Sequence, residues 1–183
     1  MSFLKLIKTS VLLLLFSVVA HSCVKDVDLD QTDDIALTPD LQVSLLIFDV
    51  VEENFTDPET GIFTPIIRDT VRLEFLDDSY IQDDLVTAEF SFRYTNSFAQ
   101  PFRNKISFLS ENDRTQHVVN FDIAPGIKNS PVVTDWVEVI ENSNIDVIKN
   151  SIKMVVEIEA LPNTNPFVGE LKFESKGLFS FEF

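Results

Sequence analysis

The chain has little of what covalent or metal chemistry draws on. Its 183 residues include one cysteine and two histidines, His21 and His117. One cysteine excludes an intrachain disulfide and a cluster of thiolates around zinc. Two histidines exclude a histidine-rich metal site. Positive charge is scarce, with 14 lysines and arginines against 30 aspartates and glutamates, a formal charge of −16. Nucleic-acid binding rests on neutralising phosphates, so no nucleic-acid partner is expected. Electrostatic attraction to anionic lipid head groups is opposed for the same reason. Four glycines, two tyrosines and one tryptophan argue against a small outer-membrane barrel and its aromatic girdles. The uncharged run Val11 to Ala20 falls well short of the ~20 apolar residues that span a bilayer.

What is present at the front has a recognisable layout. Lys5 and Lys8 precede the apolar run, and Ala20, His21 and Ser22 lead directly to Cys23. Residues 1–22 therefore read as a secretory signal peptide. The cysteine placed there resembles the cleavage site of bacterial lipoproteins. That resemblance implies cleavage before Cys23, acylation of Cys23 and attachment to a membrane through the acyl chains. One chain binds only marginally, and two or more hold firmly. Val24, Lys25 and Asp26 resemble the export signal of Bacteroidetes-type lipoproteins displayed on the cell surface. The location implied is the outer membrane, lipid-anchored and facing outward. Removal of residues 1–22 leaves 161 residues with a formal charge of −18, enough for one ordinary domain.

Residues 23–38 hold the acylated cysteine and an aspartate-rich segment, expected to be a solvated tether. Asp26, Asp28, Asp30 and Asp34 match positions 1, 3, 5 and 9 of a calcium loop. Gln31 stands where that loop needs glycine and Leu37 where it needs glutamate, so a tether is the expectation.

Residues 39–183 alternate with period 2 in many short runs, the mark of strands with one buried face. Val43, Leu45 and Ile47 share one face. Val71, Leu73 and Phe75 share another, as do Ala88, Phe90, Phe92 and Tyr94. Ile106 and Phe108, then Val119, Phe121 and Ile123, continue the pattern. Val132 to Ile140 is a further strand, and Met154, Val156, Ile158 and Ala160 another. Odd positions from Leu171 to Phe183 keep one parity throughout; an ordinary strand length favours a turn at Lys176-Gly177. Asn142 to Asn150 suits one short helix, capped by Ser143, with Ile145 and Ile148 on one face. Asn96 to Asn104 is expected to connect two strands. The fold class expected is all-β, an immunoglobulin-like two-sheet antiparallel sandwich with one short helix and a phenylalanine-rich core.

Candidate sites are few. Trp136 and Tyr80 are possible ligand-stacking residues, although Trp136 lies in an apolar strand and core packing is its expected role. Glu157 and Glu159 lie about 7 Å apart on one strand face, a spacing that inverting glycosidases use, but the alternation turns both toward solvent. His117 opens a strand with no nucleophile set beside it, so a surface histidine is expected. Glu52, Glu53, Asp57 and Glu59 crowd one loop without the spacing of a calcium site, so a solvated acidic loop is expected. Asn54-Phe55-Thr56 matches the N-glycosylation triplet. Asp69-Thr70-Val71 resembles the short O-glycosylation site of Bacteroidetes secreted proteins, which would place a glycan on Thr70. Phe179, Phe181 and Phe183 resemble the closing strand of an outer-membrane barrel, against the compositional argument above.

No catalytic residue, metal or cofactor is expected. The functional expectation is a lipid-anchored envelope protein whose sandwich binds an envelope protein partner or has a structural role. The alternative is a carbohydrate-binding or hydrolytic component of a surface nutrient-uptake system.

Overall fold

A computed structural model of the chain describes residues 38–183. The signal peptide, Cys23, Val24, Lys25, Asp26, the tether and the calcium-loop match at Asp26 to Leu37 all lie outside the described residues. Eight strands follow in order: β1 (Asp40–Val51), β2 (Ile66–Arg72), β3 (Leu85–Asn96), β4 (Phe102–Leu109), β5 (Thr115–Ile123), β6 (Val132–Ile140), β7 (Lys153–Ala160) and β8 (Glu170–Phe181). They form two antiparallel four-stranded sheets, ordered β1-β8-β3-β6 and β2-β7-β4-β5. The all-β two-sheet sandwich expected from the alternation is present.

The connectivity within it follows a simple rule. β4 pairs with β5, β3 with β6, β2 with β7 and β1 with β8. The chain is thus one long nested hairpin whose closed end is the β4–β5 turn. Rolled up, it brings β8 against β3 and β7 against β4, which completes the sheets. This is the eight-stranded jelly-roll arrangement. An immunoglobulin sandwich also stacks two antiparallel sheets, but orders its strands differently.

The core is aromatic. Among the described residues, ten of the 28 buried apolar ones are phenylalanines, including Phe90, Phe92, Phe108, Phe173 and Phe179. Phe90 lies 4.6 Å from Phe108 between ring centroids and edge-on to Phe179 at 5.7 Å, geometries that aromatic pairs favour. Outside, ion pairs join directly opposite residues of neighbouring strands: Arg93 with Asp135, Arg68 with Glu157, Arg103 with Glu159, and Lys172 with Asp49. Exposed pairs of this kind contribute little energy each, about 0–1 kcal/mol.

Several local expectations are corrected. Leu73 and Phe75 do not extend a strand, because β7 begins at Lys153 and the ladder ends at Arg72. The chain turns into a 3-10 helix, Glu74–Asp77, followed by α1 (Ser79–Asp84). A second short helix, α2 (Asp146–Lys149), follows a 3-10 turn at Asn142–Asn144. Among the described residues there are therefore two short α-helices rather than one. Ser143 lies inside that turn and caps neither element, whereas Ile145 and Ile148 are both buried as expected. Asn104 belongs to β4 and not to a connecting loop.

The largest correction concerns β8, which runs unbroken through Lys176 and Gly177 for 12 residues. Hydrogen-bonded neighbours flank it on both sides, Val43 of β1 and Phe90 of β3 standing opposite Gly177. The glycine serves a close approach: a Cβ there would lie 2.6 Å from the Phe179 ring. The irregularity sits in β1, which bulges between Ser44 and Ile47. Ser175 fills the bulge, its hydroxyl accepting from Leu46 N and donating to Leu46 O, both at 3.0 Å.

Candidate binding edge

β6 has a ladder on one side only, where it pairs with β3. Its other edge faces β5, the edge strand of the opposite sheet. The two strands are joined there by side chains. Trp136 of β6 stacks on Phe121 of β5, 5.2 Å between centroids and 5° from parallel. Glu138 accepts from His117 Nε2 at 2.8 Å through one oxygen and from Trp136 Nε1 at 3.4 Å through the other. Thr134 Oγ1 accepts from Ala124 N at 3.3 Å.

This seam changes the reading of two residues. Trp136 is not a core residue: it is 40% exposed, with one face of the indole held by Phe121 and Glu138 fixing its N–H. His117 does have a partner, and that partner comes from 21 positions later in the chain. Among the described residues no hydroxyl is hydrogen-bonded to the His117–Glu138 pair. What the pair does visibly is fix the rim of the tryptophan.

The solvent face of β6 is unusually apolar. Val133, Val137 and Val139 all point outward and are each about half exposed. Asp135 interrupts them and is held by Arg93 Nε at 2.7 Å. That hydrogen bond, with the attraction of the same carboxylate, raises the Arg93 guanidinium above its ordinary value. A cleft of about 290 Å³ lies along this strand, lined by Ser91, Arg93, Asp135, Trp136 and Glu174. A second, of about 450 Å³, lies beside His117, Glu138 and Asn144. The sequence carried a signal for this face that the alternation reading passed over: in VVTDWVEVI, apolar residues occupy both parities.

The remaining candidates are placed separately. Tyr80 lies on α1, remote in sequence from β6; its side chain is outside the described residues. Thr70 is exposed on β2, the edge strand of the second sheet, opposite Val155. Asp69 Oδ1 accepts from Thr70 N at 2.7 Å and leaves the hydroxyl facing solvent. Glu157 and Glu159 do point outward, but each carboxylate is paired, with Arg68 and Arg103 respectively.

In the acidic loop, Asp57 Oδ1 accepts from Thr60 N, the Thr60 hydroxyl and Glu59 N at 2.8–3.0 Å. Donation from the Thr60 N–H, then from its hydroxyl and from Glu59, holds the Asp57 carboxyl below its usual range. The carboxylate thus organises the turn that Gly61 closes with φ of 67°. Among the described residues no three histidine, cysteine, aspartate or glutamate side chains gather as a metal site. Nor, among them, is any helix long and apolar enough to cross a membrane.

No family model and no curated protein matches the sequence. Some solved structures align with the chain at low identity. One is the infectious bursal disease virus VP2 subviral particle, with a TM-score of 0.47 and 8% identity over 78% of this chain and 32% of that one. Another is a "putative secreted protein" from Parabacteroides distasonis, with a TM-score of 0.47 and 12% identity over 68% of this chain and 39% of that one. A third is desmodium yellow mottle tymovirus, with a TM-score of 0.31 and 14% identity over 80% and 90%. The chain spans about a third of the length of the first and two fifths of the second.

Proposed function

We propose that this chain is a cell-surface lipoprotein, held in the outer membrane by acyl chains on Cys23, whose sandwich binds an envelope protein without catalysis. The observation that carries the binding role is β6: a nine-residue edge strand with three half-exposed valines and a pinned, partly exposed tryptophan. Such an edge suits an extended segment of a partner, which adds as a further strand. Backbone hydrogen bonds then give affinity, and alternate side chains meeting Val133, Val137 and Val139 give specificity. The anchoring role is supported by the lipobox-like run before Cys23 and by Val24, Lys25 and Asp26 behind it. The net negative charge keeps such a domain soluble beside the membrane.

Two experiments test this reading. Intact-mass measurement of the mature protein is expected to show acyl chains on Cys23; a free thiol there, or an attached leader, overturns the anchor. A pull-down from envelope extract with the double variant Val137→Lys, Val139→Lys is expected to lose a partner that the unchanged protein captures. Equal capture by both removes the β6 edge as the binding site.

A further inference from the structure

We propose that a third cleft, built from loops and separate from the two beside β6, binds a neutral saccharide. It has a volume of about 430 Å³ and is lined by Phe63, Pro65, Gln100, Glu159, Asn163 and Phe167. That volume lies within the ~300–1,000 Å³ of ordinary small-molecule sites. Three parts of the chain build it: the β1–β2 loop, the β3–β4 connection and the β7–β8 loop.

The first wall is aromatic. Phe63 is 51% exposed, yet it is held as firmly as a core residue. It stacks on the fully buried Phe55 at 6.2 Å and meets Phe167 edge-on at 5.1 Å. Its backbone bridges Thr56, and Thr64 N donates to Phe55 O at 2.8 Å. A ring so fixed and so exposed offers a flat apolar surface at almost no ordering cost.

The second wall is polar and lacks a donor. Gln100 is 4% exposed, and its Nε2 donates to Asn163 Oδ1 at 3.2 Å and Asn165 O at 2.9 Å. Its Oε1 is buried with no hydrogen-bond partner. A buried acceptor left in that state is costly. Asn163 Nδ2 donates to Ala99 O, so the amides around Gln100 are already committed to holding the loop. Glu159 adds a second acceptor on the rim, steadied by Arg103 at 3.4 Å.

A ligand for this cleft must therefore present an apolar face to Phe63 and hydroxyl donors to Gln100 and Glu159. A pyranose does both: its axial C–H groups form the apolar face and its hydroxyls the donors. Glu159 on the rim accepts such a hydroxyl directly; Gln100 Oε1, closed to solvent in the free protein, accepts one when the ligand opens the loop around it. Glu159 and the chain's negative charge disfavour acidic sugars.

The test is titration calorimetry of the full mature chain in a zwitterionic, sugar-free detergent. The probes are cellotriose, mannotriose, xylotriose and tri-N-acetylglucosamine, with sorbitol as an acyclic polyol. At least one oligosaccharide is expected to bind, and sorbitol is not. Phe63→Ala is expected to weaken that binding at least tenfold. Glu159→Ala, a surface change that spares the core, is expected to weaken it severalfold with an unchanged melting temperature. Trp136→Ala is expected to leave it intact, which separates this cleft from the β6 edge. No heat with any of the four sugars overturns the proposal, as does binding that Phe63→Ala and Glu159→Ala both leave unchanged.

Discussion

The Tyr94 hydroxyl donates to Asn104 Oδ1 at 2.7 Å, with both side chains fully buried. This bond crosses the sandwich from β3 to β4, linking the two sheets through a largely apolar core. Asn104 Nδ2 is buried without a partner. Tyr94→Phe would leave both polar atoms of that amide unpaired. The expected loss is about 1–3 kcal/mol, read as a lower midpoint in urea denaturation. Replacing Tyr94 and Asn104 together by Phe and Leu should recover part of it.

The same phenol makes stability depend on alkaline pH. Burial pushes the Tyr94 hydroxyl well above its ordinary value of 10.0. The folded state therefore favours the neutral form. Its contribution is fully present below pH ~10, where an unfolded tyrosine titrates, and is lost as pH rises toward the raised value. The denaturation midpoint should fall between pH ~9.5 and ~11.5, and Tyr94→Phe should fall less steeply. Parallel curves for the two proteins would clear this phenol of responsibility.

Gly177→Ala tests why β8 carries a glycine at its centre. The new methyl would meet the Phe179 ring at 2.6 Å. That ring cannot retreat easily, being packed edge-on against both Phe75 and Phe90. Overpacking of this sort costs about 1–3 kcal/mol, and calorimetry should show a corresponding fall in melting temperature. A neutral outcome would mean that the ring repacks freely.

Trp136 is the single tryptophan of the chain, so fluorescence excited selectively at tryptophan reports on the β6 edge alone. At 40% exposure it should be open to acrylamide quenching in the free protein. A partner seated on β6 should reduce that quenching and shift the emission to shorter wavelength. A saccharide bound beside Phe63 should change neither.

How much of this could be read from the sequence depended on the range of the interaction. β3, β5 and β7 were legible because each alternates strictly and has one buried face, as in Ala88, Phe90, Phe92 and Tyr94. The end of β2 was not, since Leu73 and Phe75 alternate well enough; what stops the ladder is the start of β7 at Lys153, far along the chain. The continuity of β8 was hidden for a related reason. Gly177 carries a turn signal locally, but β1 and β3 clamp it from both sides. The sites were less legible still. Trp136 was visible as a residue, but its exposure follows from β6 being an edge. The His117–Glu138 pair joins two sheets, and the Phe63 cleft joins three loops, so neither leaves a spacing in the chain.

The position of β8 has a consequence for how the molecule comes into being. The last strand lies second in its sheet, and it alone pairs with β1. Without Leu171, Phe173, Phe179 and Phe181 of β8, β1 has no ladder neighbour and the core lacks four of its buried side chains. The β1-β8-β3-β6 sheet therefore closes late, by a pairing between strands more than 100 residues apart, and refolding after denaturant dilution is expected to wait on that contact.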